Sequence, residues 1–137
     1  MSLFVDTSIW LAAADAKEAP NRRAIALLSQ KEPLVTTDHV LVESWTLMHH
    51  RLGAKAADRF WDGLRRGVAL IEPVGPADLE AAWQIGIEWR DQDFSIVDRT
   101  CFAVMNRLGI DRVASLDGHF SIYRFGPRRR HAFTVLP

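Results

Sequence analysis

Short β-type runs alternate with helical stripes along the whole of this chain, and that alternation limits its fold more than any other feature. Leu3-Phe4-Val5 reads as a strand ending at Asp6, after which Thr7 and Ser8 offer capping hydroxyls to a helix opening at Ile9-Trp10-Leu11. Pro20 suits the first turn of a second helix carrying Ala24, Leu27 and Leu28, which Lys31-Glu32-Pro33 closes. Pro33 to Thr37 is the next strand candidate. Asp38 then caps a helix on which Leu41, Trp45, Met48 and Leu52 recur at helical spacing as far as Gly53. Ala57, Phe60, Trp61 and Leu64 mark a helix closed by Gly67, and Val68 to Ile71 a third strand. One further helix carries Leu79, Ala82, Trp83 and Gly86 to about Arg90. Another begins near Ile96, with Val97, Cys101, Val104, Met105 and Leu108 on one face and Gly109 past its end. Arg112 to Ser115 and His131 to Leu136 are the last strand candidates. This pattern predicts a single α/β domain over residues 1–137, with a short, mostly parallel central β-sheet flanked by helices on both faces.

Composition narrows the class without naming a function. Apolar residues make up 48% and charged residues 25% of the 137, which excludes disordered, collagenous and disulfide-scaffold chains. The single Cys101 allows no internal disulfide and no Cys-based zinc site, and reads as a core thiol. The opening Met1 to Asp6 lacks a basic region and meets an acid, unlike a signal peptide, and the longest apolar run, Ile9 to Ala14, is far too short to span a bilayer. A cytoplasmic location with no membrane partner is expected. Bases and acids number 17 each, yet residues 1–98 hold five more acids than bases and residues 99–137 five more bases than acids. The acidic side is densest from Glu72 to Asp98, and the basic side includes the run Arg128, Arg129 and Arg130.

In open parallel sheets the functional cleft lies at the carboxyl ends of the strands. Asp6 directly follows the first strand, and Asp117 follows the fourth by two residues. Asp98 and Glu43 fall early in their helices. Each acid also has an ordinary structural reading: a loop acid for Asp6, half of an Asp-Gly turn for Asp117, a first-turn helix acid for Asp98. Glu43 is harder to set aside, because among Val40, Leu41, Val42, Trp45 and Leu47 an unpaired acid is costly to bury. Were the four to converge, such hard oxygen donors would call for Mg²⁺ or Mn²⁺.

Four segments carry a resemblance to a known family. Phe4-Val-Asp-Thr-Ser-Ile-Trp10, Thr36-Thr-Asp-His-Val-Leu-Val-Glu43, Asp93-Phe-Ser-Ile-Val-Asp98 and Ala114-Ser-Leu-Asp-Gly-His-Phe120 resemble, in order, the motifs of PIN-domain ribonucleases, most of all the VapC toxins of type II toxin–antitoxin modules. Gly126 and the ending Val135-Leu-Pro137 resemble that family's closing strand. The resemblance implies a quartet of acids, here Asp6, Glu43, Asp98 and Asp117, holding Mg²⁺ or Mn²⁺, with Asp6 and Asp117 in direct contact. Asp98 would bind directly or through water, and Glu43 would hold a second ion or position the attacking water. RNA would be hydrolysed by metal-activated water to leave a 5′-phosphate and a 3′-hydroxyl. Thr7 and Ser115 are expected to donate hydrogen bonds that orient the carboxylates, and Asp93 to join through water. A cognate VapB-type antitoxin, a homodimer, and a heterotetramer or larger assembly with the antitoxin are the implied partners.

This chain departs from the family pattern at Arg99, where many relatives carry a small residue; Arg99 is a candidate RNA contact. Arg124 and Arg128 to Arg130 are further candidates, expected to form an arginine-rich face beside the acidic pocket. His39 and His119 read as helix or loop packing elements, and the five tryptophans as core or dimer contacts. The alternatives are a non-toxin PIN nuclease in RNA processing and a non-catalytic PIN-like module that binds a partner. A phosphatase of the haloacid dehalogenase type wants a second Asp where Ser8 stands.

Overall fold

Leu3, Phe4 and Val5 form β1 (Leu3–Val5) and are each fully buried. Successive strand side chains point to opposite faces, so both faces of β1 must be covered. The computed structural model describes residues 1–136; Pro137, the end of the Val135-Leu-Pro137 segment, lies outside them. Parallel to β1 run β2 (Leu34–Thr37) on one side and β4 (Arg112–Ala114) on the other. β3 (Leu70–Glu72) pairs with β2 and β7 (Thr134–Leu136) with β4, giving an all-parallel five-stranded sheet of order β3-β2-β1-β4-β7. β1 is its centre, which is why all three of its side chains are buried.

The expected strand from His131 to Leu136 is in fact two. β5 (Arg124–Phe125) and β6 (His131–Ala132) form a small antiparallel hairpin, and β7 begins only after Phe133. Phe133 is buried in an aromatic cluster with Phe102, Phe120, Tyr123 and Phe125, which turns the chain from the hairpin into the main sheet. A 3₁₀ turn, Pro127–Arg129, closes the hairpin, with Arg128 and Arg129 both in the left-handed region at φ 58° and 53°.

Six helices fall where periodicity placed them: α1 (Thr7–Ala14), α2 (Asn21–Leu28), α3 (Asp38–Leu52), α4 (Ala54–Arg65), α5 (Pro76–Glu88) and α6 (Ile96–Leu108); the short α7 (His119–Ile122) carries no periodic signal in the sequence. The starts of α1, α2 and α3 differ by one or two residues from the expected ones. Asp6, rather than the hydroxyls after it, caps α1, and Thr37 caps α3 by accepting from the Val40 amide at 3.1 Å. Asp38 lies inside α3, and its carboxylate accepts from the Val74 amide at 3.0 Å, fastening the loop before α5. Pro20 precedes α2 as its cap residue. None of the described helices is long and apolar enough to cross a membrane.

α5 and α6 are joined by an ion cluster. Arg107 grips Asp78 bidentately, at 2.8 and 3.0 Å, and reaches Glu72 at 3.0 Å, so part of the acidic stretch from Glu72 onward is neutralised inside the fold. The Asp78 side chain is only 5% exposed and also accepts from the Gly75 amide. The hydrogen bonds from Arg107 hold its carboxyl below the usual range. Stability from such a group is present above the unfolded-state pKa and is lost as pH falls through the folded one. Asp78→Asn is therefore expected to cost on the order of 1–2 kcal/mol at pH 7, a figure held down by solvent on the Arg107 side, and the difference should shrink below pH ~4. Urea unfolding of both proteins at the two pH values measures it.

Candidate active site

The winding of the sheet reverses between β1 and β4, with β2 and β3 on one side of β1 and β4 and β7 on the other. A cleft opens at the carboxyl ends of parallel strands at such a point. Asp6 leaves β1 there and Ser115 leaves β4, and the Asp6 amide donates to the Ala114 carbonyl at 3.2 Å.

Asp6 is buried and its carboxylate is held from four directions. Oδ1 accepts from the Ser8 amide at 3.0 Å, the Ser8 hydroxyl at 2.5 Å and the Ile9 amide at 3.4 Å, while Oδ2 accepts from the Ser115 hydroxyl at 2.6 Å. Burial raises its pKa from an ordinary 3.8 to about 6, against the hydrogen bonds of Ser115, Ser8 and Ile9, with the charge of Asp117 adding to the rise. The same two serines build the floor around it. Ser8 Oγ accepts from the Leu116 amide at 2.9 Å, and Ser115 Oγ from the Asp117 amide at 2.9 Å.

Asp98 arrives on the first turn of α6 through a capping box. Ser95 Oγ accepts from the Asp98 amide and Asp98 Oδ2 from the Ser95 amide, each at 3.0 Å. The ordinary reading of Asp98 as a helix-start acid is thus correct, and the capping box also brings its carboxylate to the cavity. Oδ1 of Asp98 has no protein donor among the described residues, and neither carboxylate oxygen of Glu43, on α3, has one. Asp117 accepts from the His119 amide at 2.9 Å. All four acids line one cavity of about 170 Å³, together with Thr7, Ser8, Leu11, Val40, Val97, Cys101 and Phe120. No Lys or Arg lines it. Burial, and then the charges of Asp6, Asp98 and Glu43, push the Cys101 thiol well above its ordinary range, so this core thiol is inert.

Cation binding fits this donor set on two counts. Four carboxylates with no Lys or Arg beside them need a counter-charge, and the buried Thr7 hydroxyl has no hydrogen-bond partner although it lines the cavity. Thr7 therefore does not orient a carboxylate as expected; Ser115 does, and so does Ser8, which sequence reasoning passed over. The rule that an N-capping Asp accepts from the second and third following residues would have pointed to Ser8.

His119 was read as packing, yet its Nδ1 lies 2.7 Å from Asp98 Oδ2 and 3.3 Å from Asp117 Oδ1. Burial lowers its pKa, but the hydrogen bond to Asp98 and the charges of Asp117, Asp98 and Asp93 outweigh this, and the net shift is upward. Asp93 itself is exposed and lies outside the cavity lining. Arg99 points elsewhere: its Nε donates to the Phe94 carbonyl at 3.1 Å, and its guanidinium occupies the space that a side chain at Gly86 would fill. Arg124 donates to the carbonyls of Ser121, Ile122 and Tyr123, and Arg129 stacks over Trp89 and reaches Glu88 at 3.5 Å. Side-chain partners for Arg128 and Arg130 are absent among the described residues. A neighbouring cavity of about 200 Å³ shares Ser8 and Leu11 with the acidic one and carries Arg51 on its rim.

Residues 3–126 match the PIN domain family. The chain is 40% identical over 125 residues to the 23S rRNA-specific endonuclease VapC20 of Mycobacterium tuberculosis, covering 90% of this chain and 95% of that protein. It is 30% identical over 138 residues to the ribonuclease VapC26 of the same organism, covering 98% and 100%. The crystal structure of VapC20, described as a sarcin–ricin loop cleaving toxin, superposes with a TM-score of 0.82 at 36% identity, over 88% of this chain and 93% of that one. FitAcB from Neisseria gonorrhoeae, at TM-score 0.62 and 17% identity over 86% and 88%, shares the fold.

A buried acid with a raised pKa is a liability to stability. From pH ~4 to about 6 the folded state keeps a proton on Asp6 that the unfolded state has released, so stability falls as pH rises through that window. Above it the loss is roughly 2–3 kcal/mol. Asp6→Asn is expected to stabilise the fold by roughly 1–3 kcal/mol at pH 7 in chelator, with no gain below pH ~4, as read by urea unfolding. Ser115→Ala removes a donor from ionised Asp6 and should lower activity by about 10–100-fold with the fold retained.

Proposed function

The chain belongs to the PIN domain family, and from that membership we propose that it is a divalent-metal-dependent endoribonuclease and the toxin of a VapBC-type toxin–antitoxin pair, leaving 5′-phosphate and 3′-hydroxyl ends. One observation carries the reading: Asp6, Glu43, Asp98 and Asp117, from four distant segments, line a single cavity that no Lys or Arg lines. Such a cavity repels a phosphodiester unless cations occupy it. Asp6, Asp98 and Asp117 would hold Mg²⁺ or Mn²⁺, with Glu43 at a second ion or on the attacking water. An ion there supplies Lewis-acid stabilisation of phosphoryl charge and acidifies water.

The protein's own residues then have distinct tasks. Ser8, Ile9 and Ser115 hold both oxygens of Asp6 in place before substrate arrives, so little reorganisation is left for the reacting complex. The Ser95 amide does the same for Oδ2 of Asp98. Glu43, free of protein donors, keeps both oxygens available to an ion or to the attacking water. Leu11, Val40, Val97 and Phe120 form the apolar wall that keeps bulk water from screening these charges. The adjoining cavity, lined by Arg51 together with Asp15 and Glu18, extends the cleft beyond the acidic quartet. RNA is the proposed substrate, with 23S rRNA the first to test because the relative VapC20 is named for it.

A protein partner is supported by the apolar hollow between α3 and α4, about 220 Å³, lined by Leu41, Val42, Trp45 and Trp61, where Trp61 is 50% exposed. Purified protein is expected to cut RNA with Mg²⁺ or Mn²⁺, to lose this in EDTA, and to fall by about a hundredfold or more in Asp6→Asn. Cleavage surviving either treatment overturns the reading. Expression should arrest growth, Asp98→Ala should abolish the arrest, and co-expression of the neighbouring upstream gene product should relieve it.

A further inference from the structure

The donor set around the pocket contains a nitrogen that the four acids omit. Asp98, Asp117 and His119 each offer a ligand atom, and these atoms lie within 4.8 Å of one another. His119 Nδ1 stands 2.7 Å from Asp98 Oδ2 and 3.3 Å from Asp117 Oδ1. Adjacent donors on a divalent ion bound at roughly 2.1 Å are roughly 3 Å apart, so these two separations bracket the spacing of neighbouring ligands. The ring is not free to leave. It meets Phe94 edge-on, with centroids 5.2 Å apart at 75°, and its backbone amide is tied to Asp117 Oδ1 at 2.9 Å.

We propose that His119 contributes Nδ1 to the divalent-ion site, so that the site is a mixed oxygen and nitrogen one that favours Mn²⁺ over Mg²⁺. This rests on the reading of the cavity as an ion site and names the residue that sets its metal preference. Mg²⁺ takes oxygen donors and dehydrates reluctantly, whereas Mn²⁺, though the weakest binder of the first-row transition ions, gives up water and accepts an imidazole nitrogen more readily than Mg²⁺ does. The competing role is a hydrogen bond that only orients Asp98. The two exclude each other at one atom, because Nδ1 cannot give a proton to Asp98 and a lone pair to an ion at the same time.

Direct binding separates them. Mn²⁺ and Mg²⁺ affinities are measured by calorimetry on the full chain at one pH, and electron spin echo modulation of bound Mn²⁺ reads any directly coordinated nitrogen. Wild type should show nitrogen coupling that changes when the protein carries ¹⁵N-histidine. His119→Asn, whose amide can still donate to Asp98, should lose the coupling and bind Mn²⁺ about tenfold or more weakly, while Mg²⁺ affinity moves by less than about threefold. Bound Mn²⁺ without nitrogen coupling in the wild type overturns the proposal and leaves the ion site standing, as does a folded variant that keeps both affinities. Absence of binding by either ion overturns the ion site and the proposal together. Should the variant fail to fold, the ¹⁵N comparison in the wild type decides alone.

Discussion

The structure depends on an ionisable group placed at the end of its most deeply buried strand. Asp6 would be expensive there without partners, and the groups that offset the cost are the same ones that organise the site. Its oxygens start α1 by accepting from Ser8 and Ile9, and they tie β1 to the loop after β4 by accepting from Ser115. Capping, strand-end closure and the placing of negative charge are therefore one interaction. The offset is incomplete, since burial still holds the carboxyl at about 6. That deficit is a reason for the pocket to take up cations, and it marks a position where the fold gives up stability for a charged cavity.

Much of this was legible from the sequence, and for a physical reason in each case. Helical and strand periodicities are set by burial, so β1, β2, β4 and the long helices stood out from their apolar spacing. The motif acids Asp6, Glu43, Asp98 and Asp117 stood out because strand ends and helix starts are where a parallel sheet exposes its cleft. The split between His131–Ala132 and Thr134–Leu136 was not legible, because a single buried ring, Phe133, turns the chain and a lone aromatic inside an apolar run carries no periodic signal. Thr7 and Ser8 are adjacent hydroxyls, and which one meets Asp6 is decided by the extended backbone of the cap residue. His119 was hidden by its neighbours. Beside Phe120 it reads as packing, and its pairing with Asp98 spans 21 residues that no local pattern connects.

The zero net charge takes on a different meaning once the arginines are located. Their excess after residue 98 suggested a basic face for a polyanion, yet most of them are already engaged. Arg99 is laid against Gly86 and Phe94, Arg107 is bound to Asp78 and Glu72, Arg112 pairs with Glu32, Arg124 closes three carbonyls and Arg129 sits on Trp89 and Glu88. Arg107, Arg112 and Arg129 are paired with acids of the fold, while Arg99 and Arg124 keep their charge but direct donors to backbone carbonyls. Set against the 13 acids outside the cavity, the 17 bases leave a positive balance spread over the rest of the molecule, while the negative charge is gathered in the cavity of Asp6, Glu43, Asp98 and Asp117. At the cavity itself, attraction for a phosphodiester must come through cations bound there, since no Lys or Arg lines it. A cleft that draws its substrate at one point has few phosphate contacts with which to fix register. Selection among RNAs then falls to the shape of the walls beside the cavity, from Leu11 and Leu116 to the rim at Arg51.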